Sequence, residues 1–322
     1  MTSEKWLITG GAGYIGAHVA DLFLKDGKKI FVIDSLLKGM QSRIKYLSEK
    51  HSQFIPLETI DICDAAQIEN VILNNDFTGI VHLAALKSVN ESVEQPNEYK
   101  KVNHAATEEI LKLAQKYGIT KFIFSSTAAV YGEPNTTESC KESDQLLPIS
   151  PYGSTKMDAE KRVTEFVKTS GNSGTSFRFF NVVGTASQEL LDNSIENLVP
   201  IVLKKLSENE APVVFGTNYP TKDGTCVRDF VDVRDIAAAH LLAANSTKLL
   251  PPVMNLGTGK ATSVREVIEM ILKIKQVKDS PIIESPRRAG DAAFVYANVS
   301  LAHKELGFKS KYSLEESIRS LF

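Results

Sequence analysis

Tyr152 and Lys156, four residues apart, are the pair in this sequence whose types and spacing fit proton transfer. Residues four apart on a helix share a face, so both side chains can point at one atom. A free tyrosine, with a pKa of about 10, is a poor base at neutral pH, but a neighbouring ammonium group stabilises its phenolate. Thr127, which ends the run Ser125-Ser126-Thr127, adds a hydroxyl that can hold a substrate oxygen and pass on its proton. We therefore predict Tyr152 as a catalytic base, with Lys156 and Thr127 as its partners.

A glycine-rich turn near the N-terminus predicts a binding site for a dinucleotide. Gly10, Gly13 and Gly16 follow the apolar run that ends at Thr9 and open an amphipathic segment. The first glycine permits a tight turn, the second lets the backbone approach a pyrophosphate, and the third lets helix pack on strand. The N–H groups at the start of that helix then face the phosphates. Asp34, 18 residues after Gly16, can accept hydrogen bonds from the adenosine ribose and repels a 2′-phosphate, which favours NAD over NADP.

The elements that position these residues alternate along the first half of the chain. Short runs rich in β-branched and aromatic residues are typical of parallel strands buried on both faces. The predicted strands are 6–9, 30–33, 54–57, 80–83 and 122–125, and the predicted helices are 14–25, 65–73, 98–117 and 152–169. This alternation predicts an α/β fold with a Rossmann-like, doubly wound parallel sheet.

Beyond residue 180 the pattern is less regular, which indicates a smaller C-terminal α/β lobe that binds the substrate. The predicted elements are a helix over 195–207, a strand over 212–215, a helix over 233–244, a strand over 253–256 and a helix after Ser263. We predict a NAD-binding domain over 1–180, to which part of 230–260 returns, and a substrate-binding lobe over 181–322.

The composition excludes several classes of protein. The 322 residues, 43% hydrophobic and 24% charged, are typical of a soluble globular protein, and no apolar run approaches the roughly 18 residues of a membrane span. A net charge of −2 gives no general attraction for nucleic acid, so local groups must hold any anionic ligand. Cys63, Cys140 and Cys226 are far apart and outside any histidine cluster, so we expect neither a metal site nor a disulfide. Reduced thiols and the lack of a visible signal segment indicate a cytoplasmic protein.

Six segments carry a resemblance to a known family. They are TGGAGYIG (9–16), LAALKSVNES (83–92), FSSTAAVYG (124–132), SPYGSTK (150–156), FGTNYPTKDGTCVRDF (215–230) and PRRAGD (286–291). Together they resemble the UDP-galactose 4-epimerases of the extended short-chain dehydrogenase family, from about residue 5 to about residue 310. The last three segments are the more specific, because many nucleotide-sugar enzymes share the first half.

The resemblance implies a role for each of a larger set of residues. It makes Tyr152 the base, Lys156 a partner that also contacts the nicotinamide ribose, and Thr127 the serine or threonine of the family. The positions that match the NAD site are Gly10, Gly13, Tyr14, Ile15, Gly16, Asp34, Asp61, Ile62, Leu83, Ala84, Lys87, Asn103 and Phe180. The positions that match the UDP-sugar site are Thr127, Tyr152, Asn181, Asn197, Leu198, Phe215, Arg228, Arg288, Asp291 and Val295.

Physical chemistry adds to this set on the sugar side. Arg228 and Arg288 are candidates for bidentate contacts with the pyrophosphate, because the small net charge requires local cations. Asp291 orders either the uridine ribose or Arg288, and Phe215 is equally well explained as core packing. Val295 stands where stricter epimerases of the family have a tyrosine. The smaller side chain leads to the hypothesis that N-acetylated UDP-hexosamines are also accepted.

The activity that the resemblance implies is interconversion of UDP-glucose and UDP-galactose. Tyr152 takes the proton of the sugar 4-hydroxyl while C4 gives hydride to NAD, and the 4-keto sugar then turns and receives hydride on its other face. NAD is regenerated in each turnover and is therefore implied to be tightly held. The family also implies a homodimer that pairs the helices at 98–117 and 152–169 across a two-fold axis.

Three alternatives bear on this interpretation. A nucleotide-sugar 4,6-dehydratase needs a carboxylic acid and a carboxylate directly after the threonine, where this chain has Ala128-Ala129. A pentose 4-epimerase stays open, because no motif excludes a sugar that lacks C6. A catalytically silent NAD-sensing protein of the same fold is disfavoured by the retention of Tyr152, Lys156 and Thr127 together.

Overall fold

The computed structural model describes residues 4–134, 137–278, 280–288 and 291–322, and its centre is a seven-stranded parallel sheet. The strands are β1 (Lys5–Thr9), β2 (Lys29–Asp34), β3 (Leu57–Thr59), β4 (Gly79–His82), β5 (Lys121–Thr127), β6 (Ser173–Phe179) and β11 (Val253–Leu256). Their spatial order is β11-β6-β5-β4-β1-β2-β3. The chain leaves β1 in one direction and returns to β4 on its other side, which opens a crevice at the carboxyl ends of these two strands. The prediction of a Rossmann-like sheet is confirmed.

Helices cover both faces of this sheet. They are α1 (Tyr14–Lys25), α2 (Gln41–Lys50), α3 (Ala65–Leu73), α4 (Val89–Glu94), α5 (Pro96–Tyr99), α6 (Ala106–Lys116), α7 (Pro151–Ser170), α9 (Val233–Asn245) and α11 (Ser300–Leu306). Trp6 and Ile8 of β1 belong to the apolar core shared with α1, α2, α9 and α11, whereas Leu7 belongs to the core on the other face, shared with α3, α6 and α7. Because both faces are covered, successive residues of a strand are all buried, which explains the nearly unbroken apolar runs in the sequence.

Among the described residues, three smaller sheets and three further α-helices surround a separate apolar core. The strands are β7 (Asn181–Val183) with β10 (Phe230–Asp232), β8 (Val213–Phe215) with β13 (Ile283–Ser285), and β9 (Val227–Arg228) with β12 (Thr262–Ser263) and β14 (Phe294–Val295). The helices are α8 (Leu198–Ser207), α10 (Val264–Ile274) and α12 (Leu314–Arg319). Val183, Val199, Phe230 and Val267 are among the residues of their common apolar core. Two elements beyond residue 180 belong to the main sheet layer: β11 is one of its strands, and α9 packs on one of its faces.

Two predicted strand regions differ from the structure. The strand expected at 54–57 is wrong, since β3 begins only at Leu57 and Phe54 is 84% exposed. Pairing starts where Val32 N donates to the carbonyl of Pro56, and the proline itself has no N–H to offer. Strand β6 was not predicted, because small polar residues such as Ser176 interrupt its apolar pattern although the strand is buried between β5 and β11.

Two predicted helices also need correction. The helix expected over 98–117 is present as one continuous helical run from Pro96 to Lys116, but its middle, Lys100–Ala105, is a π-helical turn between α5 and α6. Such a wide turn redirects side chains and often occurs at functional sites. The helix expected from residue 195 begins only at Leu198, since Asn197 takes the extended cap position, and Ile195 is exposed. Within the described residues, none of the helices has the length and apolarity needed to cross a bilayer.

Candidate active site

Thr127 and Tyr152 meet where β5 ends and α7 begins. Ser150 caps α7, with its hydroxyl oxygen accepting from Gly153 N at 3.1 Å, and Pro151 occupies the first helical position. A Cβ on Gly153 would stand 2.7 Å from the carbonyl oxygen of Ala129, so glycine is required for the helix to approach the turn that follows β5. This approach brings the Thr127 hydroxyl beside the Tyr152 phenol, whose pKa it lowers.

Lys156 lies one turn after Tyr152 and is held by β5. Its Nζ donates to the carbonyl oxygen of Ser125 at 2.8 Å and lies 4.7 Å from the centre of the Phe124 ring. Burial lowers the pKa of Lys156 to about 7, although the carboxylate of Glu160 opposes that shift. The ammonium is thus anchored to the strand that ends in Thr127.

The phenol of Tyr152 is in a site that favours its protonated form. Burial raises the pKa of Tyr152, the hydrogen bond from Thr127 lowers it, and the charge of Glu196 raises it further. The phenol ring also meets the Tyr99 ring edge-on, with 6.4 Å between the ring centres. Added positive charge beside the phenol is therefore needed before Tyr152 acts as a base at neutral pH.

The turn between β1 and α1 forms a cradle that fits a pyrophosphate. Gly10 has a φ of +71°, and a Cβ there would stand 2.6 Å from Ala84 N in the loop after β4. Helix α1 begins after Gly13 without a side-chain cap, whereas Ser150 and Asp232 cap α7 and α9. The first N–H groups of α1 are therefore left for a ligand, and the helix dipole favours an anion there.

Asp34 ends β2 beside this cradle and organises it. Its Oδ2 accepts from Ala12 N at 3.0 Å, and its Oδ1 accepts from Leu36 N at 2.9 Å. Burial raises the pKa of Asp34, but these backbone donors oppose the shift. Each carboxylate oxygen has a second lone pair, which fits the hydroxyl groups of an adenosine ribose and excludes a 2′-phosphate. The residues present thus fit NAD.

Asp34→Ser is expected to weaken the preference for NAD over NADP on the order of tenfold or more, because it removes the repulsion of a 2′-phosphate. Titrating the cofactor-stripped variant with each dinucleotide measures the ratio of the two Kd values. Asp64→Asn is the matched control, since Asp64 caps α3 and asparagine is an equally good cap. An unchanged ratio in Asp34→Ser would contradict the assignment of Asp34 to the ribose.

The loop after β4 closes the crevice from the other side. Leu83 N donates to Thr9 O at 3.1 Å, which places Leu83 and Ala84 next to the cradle. Asn103, from the π-helical turn, bonds both the N–H and the carbonyl of Leu86 at 2.9 Å and reaches Thr155 of α7 at 3.4 Å. Because its amide is committed to these partners and only 1% exposed, Asn103 acts by holding the loop against the catalytic helix.

The other predicted cofactor residues fall into different environments. The Tyr14 hydroxyl donates to Gly184 O at 2.5 Å and joins α1 to the segment after β7, while Ile15 is half-buried beside it. Asp61 is exposed and its Oδ1 accepts from Cys63 N, but Ile62 is buried in the apolar core next to β1 and β2. Phe180 is buried, with its ring centre 6.4 Å from that of Tyr131.

Two buried histidines near the crevice are structural. His82 lies between the hydroxyls of Thr9 at 2.6 Å and Thr107 at 3.0 Å, and burial lowers its pKa to about 3. His18 contacts Tyr14 O and accepts from Ala186 N, and burial lowers its pKa to about 4. Both imidazoles are neutral at physiological pH and are held by their hydrogen-bond partners. Neither of them is therefore an alternative to Tyr152 as the catalytic base.

A second uncapped helix lies on the sugar side of the site. Asn197 precedes α8 in an extended conformation without capping it, and its amide donates to Asp192 Oδ2 at 3.1 Å. Leu198 is the first helical residue and packs against the core of the smaller lobe. Asn181 begins β7 directly after Phe180, and its N–H donates to Asp229 O. The N-terminus of α8 is a second position for a phosphate group.

The two arginines predicted to hold the pyrophosphate have different partners. Arg228 Nη1 donates to Val227 O and Ala292 O at 2.8 Å, and Nη2 lies 3.3 Å from Asp291 Oδ1. Of the two roles expected for Asp291, ordering Arg288 is not supported, because the carboxylate pairs with Arg228 instead, and ordering the uridine ribose stays a prediction.

The other arginine is the more exposed of the two. Arg288 stacks on the Phe215 ring, with 3.9 Å between the guanidinium carbon and the ring centre. Phe215 is half-buried, so one part of its ring packs in the protein while the exposed part stacks with Arg288. Val295 pairs with Arg228 between β14 and β9 and packs against a small apolar cluster that includes Phe180 and Ala128.

A set of contacts that the sequence analysis missed joins the two sides of the crevice. Lys38 Nζ lies 2.9 Å from Glu196 Oε1, and Lys87 Nζ donates to Ser194 Oγ at 2.8 Å. Arg43 donates to Ala12 O and Leu191 O. The segment 191–197 thus lies across the mouth of the dinucleotide crevice. No local pattern in the sequence indicates the contacts with 191–197, which join residues more than 100 positions apart.

Together, a Rossmann crevice, an uncapped glycine turn and a Tyr-Lys-Thr group define a dinucleotide-dependent enzyme of the short-chain dehydrogenase class. A family model described as GDP-mannose 4,6 dehydratase matches residues 7–321. The dehydratase chemistry in that description needs an acid and a base after the threonine. Here Ala128 and Ala129 form the turn, and Ala129 N donates to Thr127 Oγ.

The most similar proteins include epimerases that match nearly the whole chain. The UDP-glucose 4-epimerase of Halalkalibacterium halodurans is 37% identical, over 97% of this chain and 92% of its own length. A solved UDP-glucose 4-epimerase of Stenotrophomonas maltophila, with bound NAD and formylated UDP-arabinopyranose, has a TM-score of 0.92 at 31% identity and covers 99% and 96% of the two chains. The UDP-Glc/GlcNAc 4-epimerase of Campylobacter jejuni has a TM-score of 0.85 at 34% identity, over 99% and 98%. This chain belongs to the extended short-chain dehydrogenase family, in its group of UDP-glucose 4-epimerases.

Proposed function

We propose that this protein is a NAD-dependent epimerase that interconverts UDP-glucose and UDP-galactose at C4. The observation that carries the proposal is the placement of Tyr152, at the start of α7, beside Thr127, at the end of β5, where the threonine hydroxyl lowers the pKa of the phenol. It brings together two hydroxyl groups that can bind one substrate oxygen. The alanines that follow Thr127 leave this turn without an acid or base for elimination, so the chemistry is restricted to one alcohol carbon.

The residues of the chain move and hold one proton. Tyr152, as phenolate, takes the proton of the sugar 4-hydroxyl, and Thr127 bonds the same oxygen and keeps it beside the phenol. The positive charge of Lys156, whose Nζ is held by the carbonyl of Ser125, stabilises the phenolate. NAD, when bound, supplies the redox chemistry by accepting hydride from C4 and returning it. The proton on Tyr152 goes back to the oxygen when the 4-keto sugar is reduced.

The second face of the sugar is reached because the substrate is held by its diphosphate. Arg228, Arg288 and the N-terminus of α8 are the groups that bind it, so the keto sugar can turn about its phosphate linkage without leaving. Lys87 and Lys38 lie across the cofactor crevice, where they help to retain NAD.

The experiment is to incubate the purified protein with UDP-galactose, without added NAD, and to analyse both the sugar nucleotide and the dinucleotide released on denaturation. Formation of UDP-glucose together with released NAD supports the proposal. Bound NAD without conversion would point to a different UDP-sugar or to a silent NAD-sensing protein. UDP-arabinose belongs in the same assay, because nothing in the described site requires C6 of the sugar.

Val295 favours N-acetylated UDP-hexosamines as additional substrates. We expect the wild-type protein to convert UDP-N-acetylglucosamine, and Val295→Tyr to lose this activity about tenfold or more relative to UDP-galactose, because the larger ring fills the pocket. Val295→Ala keeps the side chain small and is the control that should retain both activities. If the wild-type protein does not convert UDP-N-acetylglucosamine, this extension of the substrate range is wrong.

We also propose that the enzyme is a cytoplasmic homodimer that pairs the α5–α6 region with α7 of its partner. The outer sides of α6 and α7 carry charged residues, among them Lys112, Lys161 and Glu165, so ion pairs would contribute to the contact. The thiols of Cys140 and Cys226 are buried, as suits a reducing compartment. Light scattering after gel filtration, at low and high salt, measures the oligomeric state.

A further inference from the structure

Glu160 and Arg178 form a buried ion pair one helical turn beyond Lys156, and the proposed proton transfer does not use it. Arg178 Nε and Nη2 donate to Glu160 Oε1 and Oε2 at 2.9 Å and 2.8 Å, which is a bidentate arrangement. The two side chains are 3% and 4% exposed. Such a pair is expensive to desolvate, so it indicates a role that hydrophobic packing alone would not fill.

The pair is part of a chain of hydrogen bonds that joins three elements. Ser126 Oγ donates to Glu160 Oε1 at 2.5 Å, which ties α7 to β5. Arg178 belongs to β6, and its Nη1 donates to the Tyr131 hydroxyl at 2.9 Å. The Tyr131 hydroxyl in turn donates to Asn255 Oδ1 on β11 at 2.7 Å. The network therefore fixes α7 across the ends of three neighbouring strands.

Glu160 and its partner Ser126 each lie next to a catalytic residue, Ser126 in sequence and Glu160 by one helical turn. Ser126 lies between Ser125, whose carbonyl anchors Lys156, and Thr127, which bonds Tyr152. Glu160 lies one turn beyond Lys156 on α7. A shift of α7 along β5 would move the two halves of the catalytic group apart, and the Glu160–Ser126 bond opposes that shift.

We propose that Glu160, held by Arg178 and Ser126, is a positioning residue for the epimerase reaction that fixes Lys156 relative to Thr127 and supplies the negative charge that Lys156 faces. The expected changes in kcat rest on the proposed function. The expected change in the titration of Lys156 does not, because it requires no sugar substrate.

The charges around Lys156 make Glu160 the decisive one. On α7 the titratable neighbours are Tyr152 and Glu160, and from β4 the nearest is His82, which is neutral because burial lowers its pKa to about 3. From β5 the ammonium meets only a carbonyl and the Phe124 ring. Burial lowers the pKa of Lys156 and Glu160 raises it, so removing the carboxylate should lower it further.

The test compares wild-type protein, as purified with its cofactor, with the double variant Glu160→Gln/Arg178→Met. The single variant Glu160→Gln leaves an unpaired buried guanidinium and is prone to misfold, whereas the double variant leaves neither charge behind. Thermal melting verifies that it is folded. The side-chain signal of Lys156 in carbon-13 lysine-labelled protein, assigned with Lys156→Met, is followed against pH, together with the pH profile of kcat/KM.

The double variant also removes the Arg178 guanidinium, but Glu160 is the charge that acts on Lys156, so we expect the midpoint of the Lys156 titration and the alkaline limb of kcat/KM to move to lower pH. We also expect kcat to fall about 10- to 100-fold with little change in KM, because Glu160 does not touch the substrate. The matched control is Asp232→Asn/Arg234→Met, which removes another paired buried carboxylate that lies outside the catalytic helix. That variant loses stability but should keep the Lys156 midpoint.

A folded double variant whose Lys156 midpoint and kcat equal those of the wild-type protein would overturn the inference. If the wild-type protein converts no UDP-sugar, the proposed function is wrong, but the Lys156 titration still decides the role of Glu160. If the Asp232 control shifts the midpoint equally, the effect reflects general destabilisation and the inference is also wrong.

Discussion

Tyr152→Phe should reduce kcat for UDP-galactose by about 10²- to 10⁴-fold, with the KM and the bound NAD close to those of the wild-type protein. The substitution removes one oxygen, the atom that takes the substrate proton. It leaves the ring contact with Tyr99 and the start of α7 intact, because Ser150 and Gly153 form that helix end without the phenol. Steady-state kinetics and the dinucleotide released on denaturation measure both consequences.

A control must separate loss of a catalytic hydroxyl from loss of any tyrosine hydroxyl. Tyr46 of α2 packs on the opposite face of the sheet, so Tyr46→Phe should retain wild-type turnover. If Tyr152→Phe keeps more than a tenth of the wild-type kcat, another group must take the proton. In that case the assignment of the base is wrong, even though the fold stands.

Gly10→Ala is expected to abolish retention of NAD. It should also lower the free energy of unfolding by more than the cost of the backbone conformation alone. The residue has a φ of +71°, which costs about 1–2 kcal/mol for a residue with a Cβ. The added Cβ would also stand 2.6 Å from Ala84 N, so the loop after β4 must move out of the crevice. The atoms that collide belong to the backbone of Ala84 and cannot rotate away as a flexible side chain could. The loop after β4 is therefore displaced and the pyrophosphate site is lost.

Gly27 offers a matched control for this prediction. It has a φ of +82° in the turn between α1 and β2, yet a Cβ there has no atom within 4 Å. Gly27→Ala therefore has the strain without the collision. We expect it to lose about 1–2 kcal/mol of stability and to keep its NAD. Equal loss of NAD in both variants would show that the close approach of Ala84 is not what shapes the cradle.

The main sheet was predictable because its strands and glycine turns follow local rules. Helix α1 was predicted with its observed bounds, since Gly13 and Lys25 mark its ends in the sequence. The strand at 253–256 was also predicted with its observed bounds, and it returns to the main sheet, where it pairs with β6. Strand β6 escaped prediction, because its burial comes from neighbours on both sides and not from its own composition.

The contacts within the candidate site were harder to predict than its members. Spacing on one helix placed Tyr152 and Lys156 together, and the structure adds that Lys156 is anchored to Ser125 O. The pairing of Asp291 with Arg228 was not predicted, because Arg288 is its neighbour in sequence and only the pairing of β9 with β14 brings the distant Arg228 to it. Side-chain pairs of this kind depend on strand register, which no local pattern specifies.

The Glu160–Arg178 pair illustrates the same limit more strongly. Glu160 follows Lys156 by four residues and shares its helix face, but a glutamate there does not by itself indicate a buried pair, and Arg178 lies in a strand that was not predicted. Their burial and pairing follow only from the packing of α7 on β6. A charged residue one turn from a catalytic lysine was nevertheless a usable signal, because the same helix face was already expected to point inward.

The most direct test of the account is to incubate the protein with UDP-galactose that carries deuterium at C4, with no added NAD, and to follow the sugar by proton NMR. The account predicts UDP-glucose that retains its deuterium at C4, because the hydrogen leaves and returns as hydride within one closed site while only the hydroxyl proton passes through Tyr152. UDP-glucose with solvent hydrogen at C4, or no UDP-glucose at all, would contradict it.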